Sequence, residues 1–211
     1  MNRPDSIIFD LDGTMWDTRD DVAEIWNEVF EKYGFEASLT GEIVASYMGM
    51  PYDEAMEQML GHIPEETRKI MMDECASIEA QTIDRKKGGK IFPNVKETLD
   101  ELVKDYRLFI VSNCQKGYIE AFLRINGLEK YFEDTENAEN TGLQKGENNK
   151  LVIERNDLKN PVYVGDTPGD ARSAKFVGIP FIYAEYGFDT VEEYDAKIAD
   201  FSDLLKLDMF N

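Results

Sequence analysis

Asp10-Leu11-Asp12-Gly13-Thr14 puts two carboxylates two residues apart, directly after the apolar run Ser6-Ile7-Ile8-Phe9. In extended backbone, side chains two residues apart point the same way, so Asp10 and Asp12 can face one site while Gly13 supplies a tight turn. A second pair of acids follows another apolar run, where Pro161-Val162-Tyr163-Val164 leads into Gly165-Asp166-Thr167-Pro168-Gly169-Asp170. Four carboxylates meeting in one cleft cannot all stay ionised without a cation. Hard oxygen donors of this kind suit Mg²⁺, which keeps positions open for water and phosphate. The run Leu108-Phe109-Ile110-Val111 ends in Ser112-Asn113, a hydroxyl and backbone N–H groups at an expected helix start, where an anion is favoured. Lys145 sits in the turn Thr141-Gly142-Leu143-Gln144-Lys145-Gly146, ahead of a helical stretch over 147–155. A hydroxyl, an ammonium, a divalent ion and paired aspartates together suit phosphoryl transfer, provided the fold brings them to one point.

Singly, each of these residues has a plainer reading: Ser112 as a helix cap, Lys145 as a solvated surface lysine, Asp170 as a helix-capping acid. Their joint position argues for more. The three apolar runs, with Pro180-Phe181-Ile182-Tyr183 as a fourth, are short and bounded by turn residues, as buried parallel strands are. Helical patterns lie between them, such as Val95, Leu99, Leu102 and Val103 or Tyr118, Ile119, Phe122 and Leu123, with Gly127 and Gly178 where helices stop. Strands alternating with helices predict a layered α/β fold.

Residues 17–85 break the alternation and read as an inserted helical subdomain between core segments 1–16 and 86–211. Its first helix carries Val22, Ile25, Trp26, Val29, Phe30 and Tyr33 on one stripe, with Thr18 and Asp21 at capping-box spacing. Further helices are expected over 41–48, 53–60 and 64–83, with Lys86-Lys87-Gly88-Gly89 as a polar return. An insertion after the first strand of an α/β sheet lies over the carboxyl ends of the strands, where such folds bind ligands. The turn Met48-Gly49-Met50-Pro51 either closes a cap helix or faces a substrate. Trp16 is either core packing or a wall of the cleft entrance, and His62 reads as a loop residue.

In this order the four motifs resemble the haloacid dehalogenase superfamily of aspartate-nucleophile phosphotransferases, over nearly the whole chain. The resemblance implies a Rossmann-like, doubly wound parallel sheet with a type I helical cap. It implies that Asp10 attacks phosphorus, that Asp12 serves as acid and base, and that Ser112 and Lys145 bind the phosphoryl oxygens. Mg²⁺ would be held by Asp10, the Asp12 carbonyl and Asp166 with help from Asp170, while Thr14, Asn113 and Met50 are the residues expected at the substrate. Gly127-Leu128-Glu129-Lys130-Tyr131-Phe132 and Val177-Gly178-Ile179-Pro180 further resemble the phosphoglycolate phosphatase-like branch, which usually carries proline where Gly146 follows Lys145. The second aspartate, Asp12, argues for phosphate over carbon–halogen chemistry. The activity implied is hydrolysis of a small phosphate monoester, with a β-phosphoglucomutase-like mutase or an inorganic pyrophosphatase as the alternatives.

Composition narrows the partners. Lys plus Arg number 23 against 43 Asp plus Glu, a net charge of −20 that repels polyphosphate backbones and anionic membranes, so the expected partner is a small phosphorylated metabolite and not nucleic acid. No apolar run approaches the roughly 18 residues a membrane span needs and none at the start suits a signal peptide, so a soluble, cytoplasmic protein is expected. Cys75 and Cys114 are the only cysteines, too few for a disulfide framework, and read as buried thiols. Nothing in the sequence sets the oligomeric state.

Overall fold

The computed structural model describes residues 3–36, 38–50 and 52–210. Its centre is a six-stranded parallel sheet with β1 (Ser6–Phe9) in the interior. The chain then leaves the sheet through a short strand, β2 (Trp16–Asp17), and builds the helices α1 (Arg19–Lys32), α2 (Gly41–Ala45), α3 (Tyr52–Leu60) and α4 (Glu65–Lys86). It returns through β3 (Lys90–Ile91), which pairs antiparallel with β2, so the two crossings between cap and core form one small ribbon.

The rest of the core follows as α5 (Val95–Leu102), β4 (Arg107–Ser112), α6 (Tyr118–Asn126), β5 (Asp134–Asn137), α7 (Ala138–Thr141) and α8 (Lys145–Arg155). It closes with β6 (Pro161–Gly165), α9 (Pro168–Val177), β7 (Phe181–Ala184) and β8 (Ala196–Ile198). The sheet order is β5-β4-β1-β6-β7-β8. After the cap the chain adds strands outward on one side of β1, then returns to add strands on the other. The order therefore reverses at β1, and the carboxyl end of β1 is the place where such a sheet opens a crevice.

The alternation of side chains explains why the strands carry unbroken apolar runs. Ile7, Phe9, Leu108, Ile110, Val162 and Val164 pack on the face covered by α5 and α6. Ile8, Phe109, Val111 and Tyr163 pack on the opposite face with Val152 of α8 and Ala174 of α9. A strand buried on both faces needs apolar residues at every position. The edge strands β5 and β8 do not: Asp134-Thr135-Glu136-Asn137 and Ala196-Lys197-Ile198 have no such run and so carry no strand signal in their residue pattern.

The cap follows its apolar stripe. Val22, Ile25, Trp26, Val29 and Phe30 of α1 are buried with Val44, Met56, Met71, Cys75 and Ile83, and this cluster runs without a break through Met15 and Trp16 into the core. Trp16 is fully buried, its ring against Tyr118 and Phe122 at centroid distances of 5.2 and 5.3 Å, so packing is its role. Several boundaries differ from the sequence reading. The second helix stops at Ala45 and leaves 46–50 as turns, and α4 extends to Lys86, where Lys87 adopts φ 52°. Pro51 lies outside the described residues. Thr18 does not cap α1 with its side chain; that hydroxyl is used elsewhere. His62 is exposed after α3.

At the ribbon, Gly89 has φ +75°, and a Cβ there would lie 2.2 Å from Trp16 Nε1. Gly89→Ala is therefore expected to destabilise the fold by roughly 1–3 kcal/mol, through the left-handed backbone and the displaced indole together. Denaturant unfolding of the variant beside wild type measures it, and an unchanged midpoint would show that the ribbon relaxes freely.

Candidate active site

Three chain segments deliver charge to the carboxyl end of β1. Asp10 follows β1 directly, its N–H bonded to the Val164 carbonyl of the neighbouring strand at 2.8 Å, so its position is set by the sheet itself. Asp166 follows β6. Thr167 and Asp170 form a reciprocal capping box at the start of α9, with Pro168 in the first turn. Gln144 and Glu147 do the same for α8, which makes Lys145 the first residue of that helix and not part of the preceding turn. Helix N-termini favour carboxylates and disfavour ammonium ions, so Lys145 needs acids near it.

It has them. Lys145 Nζ, 5% exposed, donates to Asp10 Oδ1 at 2.8 Å and to Asp170 Oδ1 at 2.7 Å. Burial works against the ammonium, but Asp10 and Asp170 outweigh it and hold the lysine above its ordinary pKa. Asp10 is pushed up by burial and by Asp170, with Lys145 pulling it back. Asp166 is raised well above the usual carboxylate range, first by burial and then by Asp170 and Asp10. Carboxylate oxygens of Asp10, Asp166 and Asp170 lie within 4.8 Å of one another, the one such acid cluster among the described residues with the geometry to hold a metal ion. Two glycines make room for it: a Cβ on Gly13 would come within 2.0 Å of Asp166, and one on Gly187 within 2.2 Å.

The arrangement corrects the expectation of four converging carboxylates. Asp12 stands apart from the cluster, and its Oδ1 accepts hydrogen bonds from the Thr18 hydroxyl at 3.1 Å and the Tyr118 phenol at 3.0 Å. Burial raises it to about 6, against the lowering effect of those two donors. Asp170 is both the helix cap and a cluster member. Its Oδ2 accepts from the Asp166 and Thr167 N–H groups and the Thr167 hydroxyl, and its Oδ1 from Lys145 and Tyr163.

A cavity of about 70 Å³ opens above these groups, lined on the core side by Asp10, Asp12, Ser112, Asn113 and Lys145 and on the cap side by Tyr47, Met48, Gly49 and Met50. Of the residues expected at a substrate, Met50 is on the wall. Asn113 is too, but its amide donates to the Gly49 carbonyl at 2.9 Å and so ties cap to core. Thr14 is not on the wall: it is fully buried and donates to Asp166 at 3.0 Å, which makes it an orienting residue for that carboxylate. The helix expected immediately after Asn113 begins only at Tyr118, with Gly117 as its N-cap.

Sequence reasoning missed Glu79. It projects from α4 onto the cavity wall, is 4% exposed, and accepts a hydrogen bond from Trp26 Nε1 at 2.7 Å. The signal was present, since Met71, Cys75, Glu79 and Ile83 repeat every four residues along the buried face of α4, and an acid on an apolar stripe is out of place there. Thr18 and Tyr118, which hold Asp12, were also missed; each had been absorbed by a helix pattern.

The chain matches the model of the haloacid dehalogenase-like hydrolase family over residues 7–184. It belongs to that family. Among curated relatives, a phosphoglycolate phosphatase from Vibrio parahaemolyticus is 26% identical over 209 residues, covering 92% of this chain and 90% of its own. Another from Vibrio vulnificus is 28% identical over 210 residues, covering 92% and 90%. Among solved structures, a haloacid dehalogenase-like family hydrolase from Streptococcus pneumoniae superposes with a TM-score of 0.86 at 18% identity, covering 96% of this chain and 97% of its own. The α/β fold of this hydrolase is thus that of its family. Gly146, where the related branch usually carries proline, lies under Phe176 of α9: a Cβ there would sit 3.0 Å from the Phe176 ring.

The buried Glu79 carboxyl gives a stability prediction. Burial raises it to about 8 from an ordinary value of 4.5, so between those limits the folded chain holds a proton that the unfolded chain has released. Stability therefore falls as pH rises through this window. Glu79→Gln removes that contribution, and its melting temperature is expected to fall less steeply than that of wild type between about pH 5 and 8. Parallel melting curves against pH for the two proteins would contradict it.

Proposed function

We propose that this hydrolase is a Mg²⁺-dependent phosphatase that cleaves a small phosphate monoester through an aspartyl-phosphate intermediate on Asp10. The observation that carries the reading is the Asp10–Lys145 pair at the floor of a cavity also lined by Asp12 and Ser112. Lys145 orients the Asp10 carboxylate and sets a positive charge beside the atom where the phosphoryl group must arrive. Ser112 offers its hydroxyl to a phosphoryl oxygen.

Asp12, held by Thr18 and Tyr118, has the acidity that proton transfer near neutral pH requires. In the first half-reaction it gives its proton to the leaving oxygen as Asp10 takes the phosphoryl group. In the second it takes a proton from the water that attacks the aspartyl phosphate.

The donor set fits a divalent cation. Lys145 offsets one of three clustered carboxylates, and the excess charge calls for either protons or a doubly charged ion. Asp10 and Asp166 would hold Mg²⁺ together with the Asp12 carbonyl, with Asp170 acting chiefly through Lys145 and the α9 cap. When bound, the ion supplies charge neutralisation at the phosphoryl oxygens. The phosphatase names of the relatives support the same class.

At about 10–15 Å³ for each water-sized site, the cavity's 70 Å³ holds roughly five to seven such sites, enough for a phosphoryl group and a short alcohol.

Asp10→Asn is expected to lose turnover while keeping its circular dichroism spectrum and melting profile; turnover close to wild type removes Asp10 from the nucleophile role. Asp12→Asn is expected to slow hydrolysis of an alkyl phosphate by about 10²–10⁴. Chelation should stop phosphate release and Mg²⁺ should restore it, and full activity after exhaustive chelation contradicts the metal assignment. Lys145→Ala should depress every substrate alike, since all present the same phosphoryl group.

A further inference from the structure

The part of the cavity beyond the phosphoryl site has a definite chemistry. Its lining includes the aromatic residues Trp26, Tyr47, Tyr52 and Tyr118, and the charged residue contributed by the cap is Glu79. Among the described residues lining the cavity, Lys145 is the one cation, and both of its short ion pairs go to Asp10 and Asp170 on the core floor. A substrate's leaving group therefore meets aromatic residues and a buried carboxyl, with no uncommitted basic side chain among the described lining residues to receive a negative charge.

We propose that Glu79 and the aromatic wall around it form the leaving-group subsite, and that this subsite takes short phosphate esters of amino alcohols and disfavours those of hydroxy acids. The proposal rests on the phosphatase reading and deepens it.

The physical case is one of complementarity. Aromatic faces attract an ammonium group, and the attraction grows when water is excluded. A carboxyl at the end of such a pocket gives that ammonium a charge-assisted hydrogen bond. The burial that raises Glu79 reflects a carboxyl without a cationic partner, which an incoming ammonium supplies. A carboxylate on the leaving group meets the reverse situation, since it would be desolvated against this wall while Lys145, the one cation among the described lining residues, is held by Asp10 and Asp170. The indole N–H of Trp26 is already committed to Glu79, so it cannot serve as a replacement donor without leaving that carboxyl unpaired. The modest volume of the cavity, about 70 Å³, favours a short alcohol.

The test uses three esters of nearly equal size, 2-aminoethyl phosphate, n-propyl phosphate and phosphoglycolate, with Mg²⁺ present and phosphate release as the signal. Wild-type kcat/KM is expected to fall in that order, with about tenfold or more between the first and the last. Glu79→Gln is expected to narrow the gap from both ends, chiefly through KM. Hydrolysis of p-nitrophenyl phosphate, whose aryl group carries neither charge, reports the phosphatase chemistry by itself. Loss of release from all four esters overturns the phosphatase reading. Calorimetric binding of the three alkyl esters to Asp10→Asn then still ranks the subsite.

If Glu79→Gln does not fold, Glu79→Met repeats the comparison with an apolar side chain of similar length, and the wild-type order stands on its own. A wild-type preference for phosphoglycolate, in turnover or in binding, overturns the proposal. A gap as wide in the Glu79 variants as in wild type overturns the assignment of selectivity to that residue.

Discussion

One buried ammonium holds this site together. Lys145 bridges Asp10 and Asp170 in surroundings where an isolated charge is costly to keep, and each partner in the bridge has a separate anchor. Asp10 is fixed by the pairing of β1 with β6, Asp170 by the capping box of α9, and Lys145 by the capping box of α8. The sheet and the two helices thus meet through a single charged contact. Removing either acid would leave the lysine partly uncompensated at a helix N-terminus, and removing the lysine would leave acids crowded against one another. The proposed chemistry and local folding would thus draw on the same electrostatic balance.

The parallel sheet supplies the geometry that makes this possible. Reversal of strand order at β1 opens the sheet between the connections to β4 and β6, so that residues at the ends of three adjacent strands converge. Glycine at 13 and 187 lets backbone approach Asp166 where any side chain would collide. Thr14 and the Phe188 N–H then fix the two oxygens of that carboxylate, at 3.0 and 2.8 Å. Such fixed dipoles and charges need little rearrangement when a phosphoryl group arrives.

Much of this was legible in the sequence, because its physical causes are local. Apolar runs mark strands buried on both faces, and acids immediately past them mark strand ends, so Asp10, Ser112 and Asp166 could be placed before any coordinates. The edge strands β5 and β8 were not legible, since a strand paired on one side and open to solvent carries no unbroken apolar run. Thr18 shows a subtler failure. Its spacing to Asp21 fits a helix cap, but the hydroxyl finds a stronger acceptor in the buried Asp12 carboxylate, and Asp21 instead receives the Gly89 N–H. Glu79 failed for the opposite reason: glutamate is ordinarily solvated on a helix, and its place on an apolar stripe takes on meaning only once Trp26 and the cavity are seen beside it.

The contact between Asn113 and the Gly49 carbonyl bears on how the wall of the cavity can change. Here the cap meets the core through main-chain atoms: Gly49, with φ +85°, presses against Thr167 so closely that a Cβ would intrude to 2.8 Å, and the bond to Asn113 is made by its carbonyl. The seal depends on the absence of a side chain at 49, while Tyr47, Met48 and Met50 beside it also line the cavity. Fastening and the lining of the cavity are thereby carried by alternate features of one short loop, so that a change of side chain at 47 or 50 would reshape the wall and leave the latch at 49 in place.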